Sequence, residues 1–268
     1  MWKTMKKKRP RGGRKLKRRE LQVARELGEQ LATRNRELEN IVDTQGRELR
    51  EEARKLQSEL AQLFKQITKW DTIGTDTQYR IIHYPDKVVI VFAPSNSQPD
   101  WKINFSFPKK PYKRMPTPFY VHGGFLEEWK KINDFFLKAA ADFDKPITLT
   151  GWSYGGAMAT LCYEDIWFNF PQKRKHLKLV TFGSPRVVGF KNFRNISNRF
   201  AGATLYANGS DIVTCVPPVL FGFRHITKLT RIGDRFNIFG LFRPKKYHHI
   251  DGYIESLEKE MLHGGQLL

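Results

Sequence analysis

Gly151-Trp-Ser-Tyr-Gly155 sets a serine between two glycines at the spacing G-x-S-x-G. A serine hydroxyl works as a nucleophile when it stands exposed on a sharp strand-to-helix turn with a base in reach. The glycines on either side let strand and helix approach with no Cβ between them. Chance alone produces such a pentad in roughly one chain of this length in ten to twenty, given glycine at about 7% of residues. Context therefore carries the argument. Ile147-Thr-Leu-Thr150 has the β-branched content of a short buried strand. Residues 155–170 read as a helix, with Met158, Leu161, Cys162 and Ile166 near one face. That context favours a nucleophile elbow at Ser153 over three small residues at a coincidental spacing.

A nucleophilic serine needs a base, and the base needs an orienting acid. Asp211 closes a predicted strand within Tyr206-Ala-Asn-Gly-Ser-Asp-Ile-Val-Thr-Cys-Val-Pro-Pro218. The ends of strands are where an α/β sheet presents its chemistry. The competing reading is an aspartate that serves a turn through an Asx bond. The downstream bases are His225, His248, His249 and His263. His225 falls inside an apparent strand and His263 in the tail. His248 and His249 open the last helix from a loop, and spacing alone does not separate them. Cys162 and Cys215 are the only cysteines. They make neither a disulfide framework nor a CxxC metal site. Cys162 reads as a core thiol, and the cysteine usage suits a reducing compartment. Serine-based acyl transfer calls for no metal and no cofactor.

These side chains need a sheet to carry them. Strands are predicted at 79–83, 87–92, 101–107, 147–150, 177–182 and 203–207, with an extended stretch over 223–232. Helices are predicted over 126–143, 155–170 and about 249–261, and loops over 70–77 and 108–118. Strands alternating with helices indicate an α/β fold whose central sheet is mostly parallel. Ahead of it, residues 20–70 are expected to form one long amphipathic helix with no proline and two interior glycines, Gly28 and Gly46. Leu27, Leu31, Leu38, Val42, Leu49, Leu56, Leu60, Leu63 and Ile67 recur at spacings of three, four and seven. This narrow stripe fits a coiled coil, and so an oligomer, or a helix lying against the main domain. Gln45 and Glu52 interrupt the heptad. The expected organisation is a basic, disordered tail at 1–19, the helix at 20–70 and an α/β domain at 71–268.

The net charge is +20, and eleven Lys or Arg with no acid lie within residues 1–19. Such a run suits an anionic membrane surface, nucleic acid or a nuclear address, or it is a solvated tail. It lacks the interleaved aromatics of a base-stacking platform, which disfavours nucleic acid. The basic start passes directly into a charged helix instead of an apolar run of the kind that makes a secretory signal. No stretch approaches the roughly 18 apolar residues of a membrane span. The expectation is an intracellular protein or one peripheral to membranes.

Five segments, in order, resemble the class 3 lipases, the fungal triacylglycerol lipase type of α/β-hydrolase, over roughly residues 75–260. Val121-His-Gly-Gly-Phe125 resembles the family's VHxGF, and LTGWSYGGAMAT at 149–160 its TGHSLGGALA. Thr181-Phe-Gly-Ser-Pro-Arg186 resembles TFGxPR. Asp211-Ile-Val with Val216-Pro-Pro218 resembles DxV…PP, and His248 with Tyr253 resembles HxxxxY. The resemblance implies a triad of Ser153, Asp211 and His248, with His225 outside it. It also implies an oxyanion element. Phe92-Ala-Pro-Ser95 ahead of Asp100-Trp101 matches the spacing of FRGS or FRGT before DW or NW. Ser95 would then donate from its N–H and hydroxyl, and Tyr154 from its N–H. The sequence departs from the family at Trp152 for His, at Tyr154 for Leu and at Ala93-Pro94 for Arg-Gly. Proline fixes φ near −65°, so the oxyanion loop is set differently here. Residues 96–107 stand where family members keep a lid; Trp101, Ile103, Phe105 and Phe107 are either its apolar face or, for the last three above all, one side of an ordinary strand. Lys109, Lys110, Lys113 and Arg114 follow as a basic rim.

The implied activity is hydrolysis of a lipid ester, either acylglycerol or phospholipid. Two alternatives accompany it. One is a virion-associated or membrane-surface lipase that helps to breach a membrane. The other is a nucleic-acid or scaffold protein carrying an inactive hydrolase fold.

Overall fold

The computed structural model describes residues 12–95, 108–112, 119–191, 193–242 and 244–262. They divide into two compact units between Ala53 and Arg54. Helix α1 (Gly12–Gln66) begins inside the basic run and ends before residue 70. Its composition, rich in Leu, Glu, Arg, Ala and Gln, favours helix throughout. In the first unit, Leu31, Leu38, Val42 and Leu49 of the predicted stripe are exposed. Residues 1–11 of the basic tail lie outside the described residues.

The second unit opens with the end of α1 and continues through β1 (Asp71–Ile73), β2 (Thr77–His83), β3 (Val88–Phe92), β4 (Lys109–Tyr112) and β5 (Phe119–His122). Then come α2 (Gly123–Asp142), β6 (Ile147–Trp152), α3 (Tyr154–Asn169), β7 (Leu177–Phe182) and β8 (Val188–Gly189). The chain closes with β9 (Ala203–Asn208), β10 (Phe223–Arg224), β11 (Leu229–Ile232), α4 (Pro244–Tyr247) and α5 (Ile250–Leu262). The main sheet has the order β1-β2-β3-β6-β7-β9-β11. β3, β6, β7, β9 and β11 run parallel, and β1 and β2 form an antiparallel edge. This is the mostly parallel sheet of an α/β-hydrolase. Parallel neighbours need crossovers, and α3 supplies one between β6 and β7.

The side chains of β3 alternate between two cores. Ile90 and Phe92 face α2 and α3, where Trp129, Phe136, Met158 and Leu161 are buried. Val89 and Val91 face the end of α1 and α5, packing with Leu60, Leu63, Ile254 and Leu257. The sheet is therefore covered on both sides, as a parallel sheet requires. Lys65 pairs with Asp251 at 2.6 Å, and Gln57 accepts from the Tyr206 hydroxyl, so polar contacts add to the apolar seam.

Several elements differ from expectation. The loop expected at 70–77 contains β1 and the start of β2, and the loop expected at 108–118 contains β4. Both β1 and β4 are edge strands. Edges tolerate Pro111 and the lysines of β4, which made that stretch read as a loop. The single extended stretch expected over 223–232 is two strands in two sheets. β10 joins a smaller sheet of order β10-β8-β5-β4, and β11 joins the main one. The strand expected at 101–107, the lid expected at 96–107, and Lys113 and Arg114 lie outside the described residues. Among the described residues, no helix is long and apolar enough to cross a membrane.

Candidate active site

Strand β6 ends at Trp152 and helix α3 begins at Tyr154, which leaves Ser153 alone on the turn. It adopts φ 56° and ψ −126°. It is the one non-glycine at positive φ among the described residues. Such backbone costs about 1–3 kcal/mol and persists only where its surroundings enforce it. Here the Ser153 N–H donates to the Phe182 carbonyl at 2.9 Å, and the Gly156 N–H donates back to the Ser153 carbonyl at 2.9 Å. The flanking glycines are a steric need. A Cβ on Gly151 would lie 2.1 Å from the Gly155 oxygen, and one on Gly155 would lie 2.1 Å from the Phe92 oxygen.

Around this turn the chain assembles a hydrogen-bonded relay. Ser153 Oγ lies 2.9 Å from His248 Nε2, and His248 Nδ1 lies 2.8 Å from Asp211 Oδ2. The carboxylate selects the tautomer in which Nδ1–H donates, leaving Nε2 to accept the serine proton. Asp211 is fully buried three residues past the end of β9, where it caps the short helical turn Ile212–Cys215. Its Oδ1 accepts from the Val213 N–H at 2.9 Å, and its Oδ2 also accepts from the Tyr253 hydroxyl at 2.6 Å. The two sequence readings of Asp211 are thus its two oxygens: one makes the Asx turn and the other holds the imidazole. Burial pushes the Tyr253 hydroxyl well above its usual pKa, so it remains a donor.

The other histidines do different work. His249 Nδ1 accepts from the Gly252 N–H at 3.0 Å and so serves the first turn of α5. His225 Nε2 donates to the Thr214 carbonyl at 2.8 Å. Burial lowers the His225 pKa to about 4, which keeps it neutral. His263 lies outside the described residues.

Trp152, one residue before the serine, places its indole 5.8 Å from the His248 ring. Phe64 from the end of α1 packs edge-on against both Trp152 and Phe182. The Tyr154 hydroxyl hydrogen-bonds Thr77 Oγ1 at 3.1 Å, which turns that side chain away from the turn it opens. Its N–H is the first of α3, a position with no partner inside the helix. Ser95 is exposed, two residues past Ala93. The carbonyl of Ala93 would lie 2.5 Å from a Cβ on Gly155, so the segment leading to Ser95 leaves the sheet beside the elbow.

Two contributors were quoted within motifs but given no role at the sequence level. One is the Tyr253 hydroxyl, which a search for a second donor to a buried acid would have found. The other is Gly183, at φ +58°, where a Cβ would meet Asp211 Oδ2 at 2.8 Å and His248 at 3.1 Å. Among the described residues, no group of three or more His, Cys, Asp or Glu side chains is arranged to hold a metal ion. The arrangement suits covalent acyl transfer: a nucleophile, a base and a buried carboxylate in line.

Residues 89–221 match the family described as lipase (class 3). The chain is similar to a secreted mono- and diacylglycerol lipase of Fusarium solani. That match is 34% identical over 146 residues, 52% of this chain and 42% of the relative. It is also similar to a lipase of Rhizomucor miehei, 30% identical over 170 residues, 60% of this chain and 46% of the relative. The chain thus spans less than half the length of these relatives. A solved triacylglycerol lipase, described as having a serine protease triad at its catalytic centre, superposes with a TM-score of 0.55. It is 25% identical, and the match covers 62% of this chain and 64% of that one.

Proposed function

We propose that this chain, whose residues 89–221 match the class 3 lipase family, hydrolyses carboxylic esters of lipids through Ser153, His248 and Asp211. The observation that carries the reading is the unbroken path of hydrogen bonds from Ser153 Oγ through both imidazole nitrogens to the buried Asp211 carboxylate. Ser153 attacks the acyl carbonyl carbon while His248 Nε2 takes its proton. Asp211 stabilises the imidazolium that forms. The tetrahedral oxyanion is met by the Tyr154 N–H and by Ser95, each donor contributing about 3–4 kcal/mol. His248 returns the proton to the leaving alcohol, the acyl-enzyme forms, and water attacks it by the same route in reverse. No metal or cofactor enters these steps.

The substrate class we infer is acylglycerol or phospholipid. The acylglycerol half is supported by the names of the Fusarium relative and the solved triacylglycerol lipase. The place of action we infer is a membrane surface, to which the basic residues 1–19 would add attraction.

The test is a panel of triacylglycerol, diacylglycerol, phospholipid and a soluble short-chain ester. Ser153→Ala and His248→Ala should each lose at least 10³-fold in kcat, whereas His249→Ala and His225→Ala should stay within about threefold. Activity retained by a folded Ser153→Ala protein would remove the hydrolase reading.

A further inference from the structure

Residues 166–233 contain eleven Lys or Arg and a single acid, Asp211. Asp211 is fully buried, so it offsets nothing at the surface. Arg199 is also buried, paired with Glu164. Lys191, Arg194, Arg224, Lys228 and Arg231 are exposed. Within this cationic surface stands an apolar knuckle. The turn from Pro218 to Gly222 is closed by hydrogen bonds from the Phe221 N–H to the Pro218 carbonyl and from the Gly222 N–H to the Val219 carbonyl. At its apex Leu220 is 92% exposed, flanked by Val219 at 50% and Phe221 at 52%. Phe190, 46% exposed, is tied to the same turn through its N–H and the Gly222 carbonyl at 2.9 Å.

The cations sit at the base of the knuckle. The Arg224 guanidinium lies over the Phe190 and Phe193 rings at 5.7 and 4.1 Å, and Lys109 Nζ lies 5.6 Å from the Phe223 ring centre. An exposed cluster of large apolar side chains rimmed by charge marks a contact surface. Aliphatic tips above a cationic collar suit a bilayer with anionic headgroups: the tips reach acyl chains while the cations meet phosphates. Nucleic acid fits less well, because the most exposed side chain at the apex, Leu220, is aliphatic, and a π-face is offered only by the half-exposed Phe221 and Phe190.

We propose that the 218–222 turn and Phe190 are the docking surface of this protein for an anionic phospholipid bilayer. Leu220 and Phe221 enter the acyl region, and Lys109, Lys191 and Arg224 engage the headgroups. The loop that ends in this knuckle begins at Asp211, so docking holds the catalytic loop at the lipid surface. The inference rests on the proposed lipid-ester activity for its purpose, and its binding step is measured without turnover.

The experiment uses the full chain with Ser153→Ala, so that vesicles stay intact, and mixed phosphatidylcholine and phosphatidylserine vesicles in about 0.1 M salt. Adding Leu220→Ser and Phe221→Ser should weaken vesicle binding at least tenfold, and Lys191→Gln with Arg224→Gln should weaken it severalfold. A polarity-sensitive dye on a Leu220→Cys variant should shift to the blue with these vesicles. It should shift much less with pure phosphatidylcholine and not at all with duplex DNA. Unchanged vesicle binding in the knuckle variants would overturn the proposal, because another segment, such as the basic run at 1–19, would then be the anchor. So would a dye that stays hydrated while the protein binds, one that responds equally to neutral vesicles, or one that responds to DNA or to self-association without lipid. Hydrolysis of a soluble ester by the chain with Ser153 intact, measured separately, tells failure of docking from failure of the esterase reading.

Discussion

Asp211 and Leu220 lie nine residues apart on one loop, and their surroundings are opposite. Asp211 has no exposed surface, and every hydrogen bond it makes through its carboxylate has a fixed partner: Val213, His248 and Tyr253. Leu220 stands almost wholly in solvent on a turn that is itself well closed by backbone hydrogen bonds. A buried carboxylate is tolerable only when donors surround it. A single exposed leucine is ordinary, but Leu220 stands in a cluster with Val219, Phe221 and Phe190, and such a cluster marks a contact surface. The loop thus has one end fixed by internal chemistry and one end whose value lies in a contact. Substitutions at the two ends should separate cleanly: rate at the first, surface binding at the second.

The sharpest break should come at Asp211→Asn. The amide keeps an oxygen for the Val213 N–H, but its NH2 then faces two donors, the Tyr253 hydroxyl and His248 Nδ1–H. The imidazole is pushed into the wrong tautomer, with a proton on Nε2 where the serine proton must go. We expect kcat on a soluble ester to fall about 10³–10⁴-fold with the fold retained. Steady-state kinetics beside a thermal melt checks this. A fall below tenfold in a folded protein would mean that Asp211 is mainly a turn residue.

Tyr253→Phe should come next. It removes one of the two donors on Asp211 Oδ2 and leaves His248 and Ser153 in place. The loss of one charge-assisted hydrogen bond predicts about a tenfold fall in kcat, near 1.4 kcal/mol, with KM unchanged. A fall in stability with kcat intact would make Tyr253 a core residue without a positioning role.

How much of this could be read before the fold depends on what each residue needs from its neighbours. Ser153 was legible because an elbow imposes local demands: Gly151 and Gly155 are required by backbone atoms within a few residues and by Phe92 on the adjacent strand. The strands at 147, 177 and 203 were legible because buried parallel strands are short apolar runs. β1 and β4 were not, because edge strands carry the polar and proline residues that loops do. His248 could not be told from His249 by spacing. Adjacent residues entering a helix point different ways, and only the tertiary position of Asp211 decides which imidazole meets it. The stripe on α1 showed an amphipathic face, but not that Leu60 and Leu63 would be buried while Leu38 and Leu49 stay exposed. Burial of Leu60 and Leu63 depends on the sheet they pack against, which the helix sequence does not encode. The knuckle at Leu220 was hidden for a related reason. Pro217-Pro218-Val-Leu-Phe221 reads equally well as a buried turn, and only the fold decides between the two.

The smallest effect is expected at Leu220→Asp. A side chain with 92% of its surface in water loses almost nothing on replacement, and substitutions at such sites usually stay within about 0.5 kcal/mol. The turn around it is held by backbone hydrogen bonds that the substitution does not touch. Soluble-ester kcat/KM should stay within about twofold and the melting temperature within a degree or two. Together with weakened vesicle binding, that null result would place Leu220 wholly outside the catalytic machinery. A destabilisation above about 1 kcal/mol would mean that Leu220 is covered in solution, by another part of this chain or by a second copy. A loss of soluble-ester activity at normal stability would mean that the two ends of the loop are mechanically coupled, and the contrast between Asp211 and Leu220 would no longer hold.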